Sequence, residues 1–195
     1  MVIGLTGMSC SGKDRVAELL EKEGMVVIDE DKLGHQTLDS RKAELAEAFG
    51  PEIFSDDGTV NRRKLGPIVF SSKEKLETLN SITHPWMVER TLSECRDIEK
   101  DGKIAVINAA ILESMGFVEH CDLIILVYAP YSIRLERALK RDSISEEGFR
   151  SRSDAQKDIG LEALSSGKRV ITIINDGTEA QLSRQVSLCC ANILK

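Results

Sequence analysis

An apolar run, Val2–Thr6, passes directly into Gly7-Met8-Ser9-Cys10-Ser11-Gly12-Lys13-Asp14, and apolar residues then recur at helical spacing as far as Glu23. The eight residues satisfy G-x-x-x-x-G-K-[ST] at seven of eight places, in the strand–loop–helix setting that gives the pattern its meaning. Glycines at both ends let the backbone curl until successive N–H groups face one centre. A helix starting there adds the positive end of its dipole. Such a curl suits a polyphosphate, with the Lys13 ammonium reaching its β- and γ-phosphates. Residues 7–14 are therefore candidates for binding a nucleotide, ATP being the expected one, and Arg15 in the first helical turn is grouped with them.

The rest of the chain extends this beginning into a fold class. Short Val/Ile/Leu runs at Val2–Thr6, Met25–Ile28, Lys103–Asn108, Asp122–Tyr128 and Arg169–Ile174 read as parallel strands covered on both faces. Between them lie expected helices at Lys13–Glu23, Asp31–Phe49, Arg62–Phe70, Lys73–Asn80, Pro85–Lys100, Pro130–Arg141, Glu146–Ser165 and Thr178–Leu194. Strands alternating with helices predict an α/β fold, a doubly wound parallel five-stranded sheet whose ligands sit at the carboxyl ends of the strands. At 195 residues it reads as a single domain. Two helical stretches exceed what a minimal sheet needs: about 31–100, expected to bind an acceptor, and about 130–165, expected to form a lid.

Bulk properties narrow the partners. A formal net charge of −6 argues against a general nucleic-acid binder, which carries a basic excess. The longest apolar run, Leu123–Pro130, falls far short of the roughly 20 residues a membrane helix needs, and the N-terminus does not resemble a leader. Five cysteines, odd in number and without metal-ligand spacing, suit a reduced cytoplasmic setting. The expectation is a cytoplasmic protein without nucleic-acid or membrane partners, a monomer or weak homo-oligomer.

Two loop positions depart from the pattern. Asp14 stands where a Ser or Thr hydroxyl usually meets Mg²⁺. A carboxylate is also a hard oxygen ligand and can take that metal directly or through water, which is the favoured reading. Against it stand an acid merely stabilised by the helix dipole, and an impaired site in which the charge repels polyphosphate. Cys10 occupies a place often held by glycine. A thiol beside Lys13 and a helix N-terminus is a candidate for redox sensitivity, but the plainer reading is a small residue whose N–H matters.

Further segments carry a resemblance. They are Val27-Ile28-Asp29-Glu30-Asp31 followed by His35, Asp57-Gly58-Thr59-Val60-Asn61-Arg62-Arg63-Lys64-Leu65, and Leu79-Asn80-Ser81-Ile82-Thr83-His84-Pro85. To these add Asn108-Ala109-Ala110-Ile111-Leu112-Glu113, Arg137 with Arg141-Asp142, and Ile174-Asn175-Asp176-Gly177-Thr178. Together with the Walker A loop they resemble the dephospho-CoA kinase family of P-loop kinases over nearly the whole chain. Ala109 replaces the family's usual proline, and the stretch Arg150 to Lys168 matches least.

The resemblance implies a P-loop NTPase fold and transfer of the ATP γ-phosphate to the ribose 3′-hydroxyl of dephospho-CoA, with Mg²⁺. It implies that Asp31 is the catalytic base, a carboxylate near the Mg²⁺ for which Asp14 is read above as a ligand, and that Lys13 and Arg137 act on the transferred phosphoryl group. Asp29 is read as orienting the loop or a metal-bound water, with capping of the following helix as the alternative. Asp29, Arg62, His84 and Glu113 are placed at the acceptor, Arg141 and Asn175 at the nucleotide. Arg137 and Arg141 stand four apart, on one face of the expected helix. His35 and His120 are read as structural, and Pro85 as a first helical residue. The rivals are another P-loop small-molecule kinase of the nucleoside-monophosphate type, and a non-catalytic nucleotide-binding protein with a degenerate Walker A loop.

Overall fold

The computed structural model describes residues 1–141 and 144–194. The chain divides into two compact units, Met1–Ile28 with Glu94–Lys195, and Asp29–Ser93.

The first unit is built on strands β1 (Val2–Thr6), β2 (Val26–Asp29), β3 (Ala105–Asn108), β4 (Leu123–Tyr128) and β5 (Arg169–Ile174), in the order β2-β3-β1-β4-β5. β1 pairs in parallel with β3 and with β4, and β4 pairs in parallel with β5. The apolar runs explain this. All five residues of β1 are buried, so both faces of the strand must be covered. Helices α1 (Lys13–Lys22) and α9 (Glu179–Ile193) cover one face with Val16, Leu19, Leu20, Leu182, Val186 and Cys190, packed on Ile3, Leu5, Ile125, Val127 and Ile173. Thr178 opens α9 with a capping box closed by Gln181.

Beyond β4 come α6 (Tyr131–Arg141), α7 (Glu146–Ala155) and α8 (Ile159–Ser165). The single helix expected over Glu146–Ser165 is broken after Ala155, where the Gln156 and Lys157 N–H groups turn back to Ser153 and Asp154. Asp142, named above beside Arg141, lies outside the described residues.

The second unit, residues 29–93, compares with an expected insert of about 31–100. It holds α2 (Glu30–Ser40), α3 (Lys42–Phe49), a 3₁₀ turn, α4 (Arg62–Val69) and the first part of α5 (Lys73–Lys100). Its core is Leu45, Phe49, Ile53, Leu65 and Val69. The helix expected over Asp31–Phe49 is interrupted at Arg41, which has left the helical region at φ −115° and ψ 29°. The opposite correction applies to α5. Two helices were expected with Pro85 opening the second, but Pro85 lies inside one continuous helix. Proline forfeits one ladder bond there. Thr83 and Ser81 turn their hydroxyls back onto Leu79 and Thr78 carbonyls in the same stretch. The Asp57-Gly58 turn is held by the Asp57 carboxylate, which accepts from the Thr59 N–H at 2.9 Å and hydroxyl at 2.7 Å.

Candidate active site

The loop between β1 and α1 owes its path to close approaches. A side chain at Gly7 would bring Cβ to 2.5 Å from the Val127 carbonyl oxygen, so only glycine lets β1 leave the sheet here. Gly12 has φ +94°, and a Cβ there would stand 2.1 Å from Asn175 Nδ2. Asn175, just past β5, donates through that nitrogen to the Ser11 carbonyl at 2.8 Å. A Ser11 N–H bond to the Met8 carbonyl at 3.0 Å closes the curl. Cys10 adopts φ +62°, the left-handed region that explains why glycine suits this place. Among the described residues, the N–H groups of Cys10, Gly12, Lys13 and Asp14 are donated to no protein acceptor. Four donors on one tight turn at a helix N-terminus form an anion cradle.

Lys13 is only 9% exposed. Its ammonium donates to the Asn108 side-chain oxygen at the end of β3 and lies 3.2 Å from Asp14 Oδ1. The buried amide thus aims the lysine across the mouth of the loop. The Asp14 side chain is 71% exposed, free to reach a hard cation held by oxygens of another molecule. Among the described residues no cluster of three or more His, Cys, Asp or Glu forms a preassembled metal cage. The Asp14 carboxylate is a hard oxygen donor of the kind that fits Mg²⁺, which keeps several waters and is normally bound through one or two carboxylates plus phosphates.

Three arginines of α6 reach the loop. Arg137 donates through Nη1 to the Cys10 and Ser11 carbonyls at 3.2 and 3.1 Å, and through Nη2 to the Asn175 carbonyl at 3.0 Å. Arg141 Nη2 stands 3.7 Å from Cys10 Sγ. Arg134, not singled out from the sequence, is 4% exposed and donates to the Ser9 carbonyl at 3.4 Å. Burial draws its pKa down, against the pull of neighbouring groups. The signal for it was present: residues 134, 137 and 141 form one helical stripe. Asn108 was also missed as the lysine's partner, a pairing across 95 residues that no local pattern announces.

The other site candidates fall as follows. Arg15 is turned to the surface, paired with Glu18 and Glu179, whose carboxylates raise its pKa. Glu113 is exposed and lines a small cavity with Thr6, Leu112, Val118, Ile124 and Glu162. Asp29, Asp31, Arg62 and His84 belong to the second unit. Asp29 caps α2, accepting from the Asp31 and Lys32 N–H groups at 3.1 and 3.2 Å, which leaves the Asp31 side chain in the first turn of that helix. The Arg62 guanidinium contacts His35 Nε2. His84 is half-buried, and desolvation holds its pKa below the usual 6.5.

A parallel sheet with a glycine-bent anion cradle, a buried lysine and an arginine-bearing helix over it defines a P-loop kinase. A shikimate kinase from Bacteroides thetaiotaomicron shares this fold, with a TM-score of 0.57 at 10% identity, covering 100% of this chain and 99% of that one. The match becomes specific elsewhere. The family model described as dephospho-CoA kinase matches residues 1–183. A dephospho-CoA kinase of Corynebacterium glutamicum is 34% identical over 98% of this chain and 96% of its own length. One from Shouchella clausii is 34% identical over 95% of each. The solved dephospho-CoA kinase from Campylobacter jejuni has a TM-score of 0.76 at 26% identity, covering 98% of this chain and 96% of that one. This chain belongs to the dephospho-CoA kinase family.

Proposed function

We propose that the protein transfers the γ-phosphoryl group of ATP to the ribose 3′-hydroxyl of dephospho-CoA, giving coenzyme A and ADP. The observation that carries this is the cradle itself, four N–H groups without an acceptor among the described residues beside a buried Lys13 ammonium, in a chain matched by the family model over residues 1–183. The ribose oxygen forms a bond to the γ-phosphorus as the bond to the β–γ bridging oxygen breaks. The hydroxyl proton passes to the Asp31 carboxylate. Phosphoryl transfer of this kind needs positioning and charge neutralisation more than covalent help.

Lys13 and Arg137 neutralise charge on the phosphates, with Arg141, Asn175 and the residues 7–15 completing the nucleotide site. Asp14 and Asp31 are the carboxylates assigned to Mg²⁺, which screens the polyphosphate and fixes its conformation when bound. Asp29 keeps α2 capped so that Asp31 holds its place. Arg62, His84 and Glu113 are assigned to the acceptor, whose pyrophosphate is anionic and suits a guanidinium. The enzyme is expected to work in the cytoplasm, as a monomer or weak homo-oligomer. It is not expected to partner nucleic acid or membrane.

The test is a coupled ADP-release assay with dephospho-CoA, AMP, CMP and shikimate side by side, at millimolar Mg²⁺. Turnover of dephospho-CoA alone is the expected result. Preference for a nucleoside monophosphate or shikimate would move the protein to another kinase class, and ATP binding without turnover would make it a binding protein.

A further inference from the structure

Arg134 is buried without a carboxylate partner among the described residues. Its guanidinium instead lies near the rings of Tyr131 and Phe149, 5.8 and 5.7 Å from their centroids. Its donors go to the Ala129 carbonyl at 3.2 Å, the Ser153 hydroxyl of α7 at 3.1 Å and the Ser9 carbonyl at 3.4 Å. From the other side, the Ser9 N–H donates to Gln156 Oε1 at 2.7 Å. Both backbone polar groups of one loop residue are thus held by side chains 125 and 147 positions away. The next residue, Cys10, sits at φ +62°, a conformation a non-glycine residue keeps only when its surroundings impose it.

We infer that Arg134 and Gln156 are positioning residues for the triphosphate, gripping Ser9 from both sides so that the following N–H groups stay aimed at one centre. The inference deepens the kinase reading and rests on it. In this grip the Gln156 carboxamide stays on Ser9 when nucleotide binds, and the phosphates are left to N–H groups that have no acceptor among the described residues, those of Cys10, Gly12, Lys13 and Asp14 among them. The grip also ties α6 and the turn after α7 to the nucleotide site.

The test is calorimetric titration of the full-length protein with ATP and Mg²⁺, without acceptor, on Gln156→Met, Arg134→Lys and the double variant. Methionine keeps the length of glutamine but offers no strong acceptor. Its ATP dissociation constant should rise roughly five- to tenfold, the cost of losing one neutral hydrogen bond, with the nucleotide-free melting temperature and the KM for dephospho-CoA unchanged. The double variant should lose less than the two single losses combined, because both side chains hold one residue. Unchanged ATP affinity in Gln156→Met overturns the inference. So does tighter binding, which would make the carboxamide a plug that nucleotide displaces. A loss matched by a lower melting temperature would reduce the contact to packing. Should Arg134→Lys fail to fold, Gln156→Met decides alone. If the wild type binds ATP yet leaves dephospho-CoA unmodified, the functional reading fails while the grip is still measured.

Discussion

At the scale of single residues, two variants separate chemistry from binding. Asp31→Asn keeps the size and the helix position but removes the proton acceptor. It should lower kcat by roughly 10²–10⁴, the usual weight of a general base, while the affinity for ATP measured without Mg²⁺ stays within about twofold of wild type. Near-normal turnover in a steady-state assay would end the assignment of Asp31. Asp14→Ser restores the hydroxyl that the loop pattern expects. The wild type should need Mg²⁺ more steeply for ATP binding than this variant, because an uncompensated carboxylate repels polyphosphate; equal dependence in calorimetry would leave Asp14 as a helix-turn acid. Thiol chemistry gives a third check. Burial pushes the Cys121 thiol up to about 12 and Cys190 up to about 11, and Cys95 and Cys189 are buried too, whereas Cys10 is only partly covered. Peptide mapping after mild alkylation at neutral pH should find Cys10 modified first, and ATP should slow it.

Elements obey a different arithmetic. The β1–α1 loop depends on backbone that a side chain would spoil. Gly12→Ala must accept a left-handed φ and a Cβ 2.1 Å from Asn175 Nδ2. It should lose about 1–3 kcal/mol in denaturant titration and most of its ATP affinity. In α5, His84 couples stability to pH. Desolvation lowers its pKa from 6.5, so just below pH 6.5 the unfolded chain binds a proton that the folded chain refuses. Stability therefore rises with pH across that window and falls as pH drops below 6.5. Denaturant midpoints at pH 7.5 and 5.5 should differ more for wild type than for His84→Gln. The carboxylates held below their ordinary range, Glu44, Asp57, Glu136 and Glu179, act with the same sign but only at lower pH, since their ordinary values are 4.5 and 3.8.

Over the whole molecule, how far the sequence could be read depended on the range of the interaction. The alternation of apolar runs and helical spacing placed all five strands to within two residues, and β1 and β5 without error. Strand burial is written locally, because a strand covered on both faces has to be apolar throughout. The glycine-bent loop was equally visible, since left-handed backbone and close approach call for glycine at set spacings. Helix ends were less legible. Arg41 and Gln156 interrupt stretches whose periodicity continues through them, and Pro85 sits within a helix that its chemistry would have started. Tertiary packing overrides propensity there, because the lost ladder bond at Pro85 is small beside the apolar burial along α5. What no reading of the chain in order could supply is the company each side chain keeps. Lys13 meets Asn108, Asn175 meets Ser11, and Arg134 and Gln156 meet at Ser9, across separations of 95 to 164 positions. The sequence by itself determined the sheet, the phosphate cradle and the family, for these rest on backbone conformation and on residue types at short spacing. Only the tertiary structure decided which side chains hold the cradle in shape, because a hydrogen bond between distant residues depends on where the fold delivers both ends.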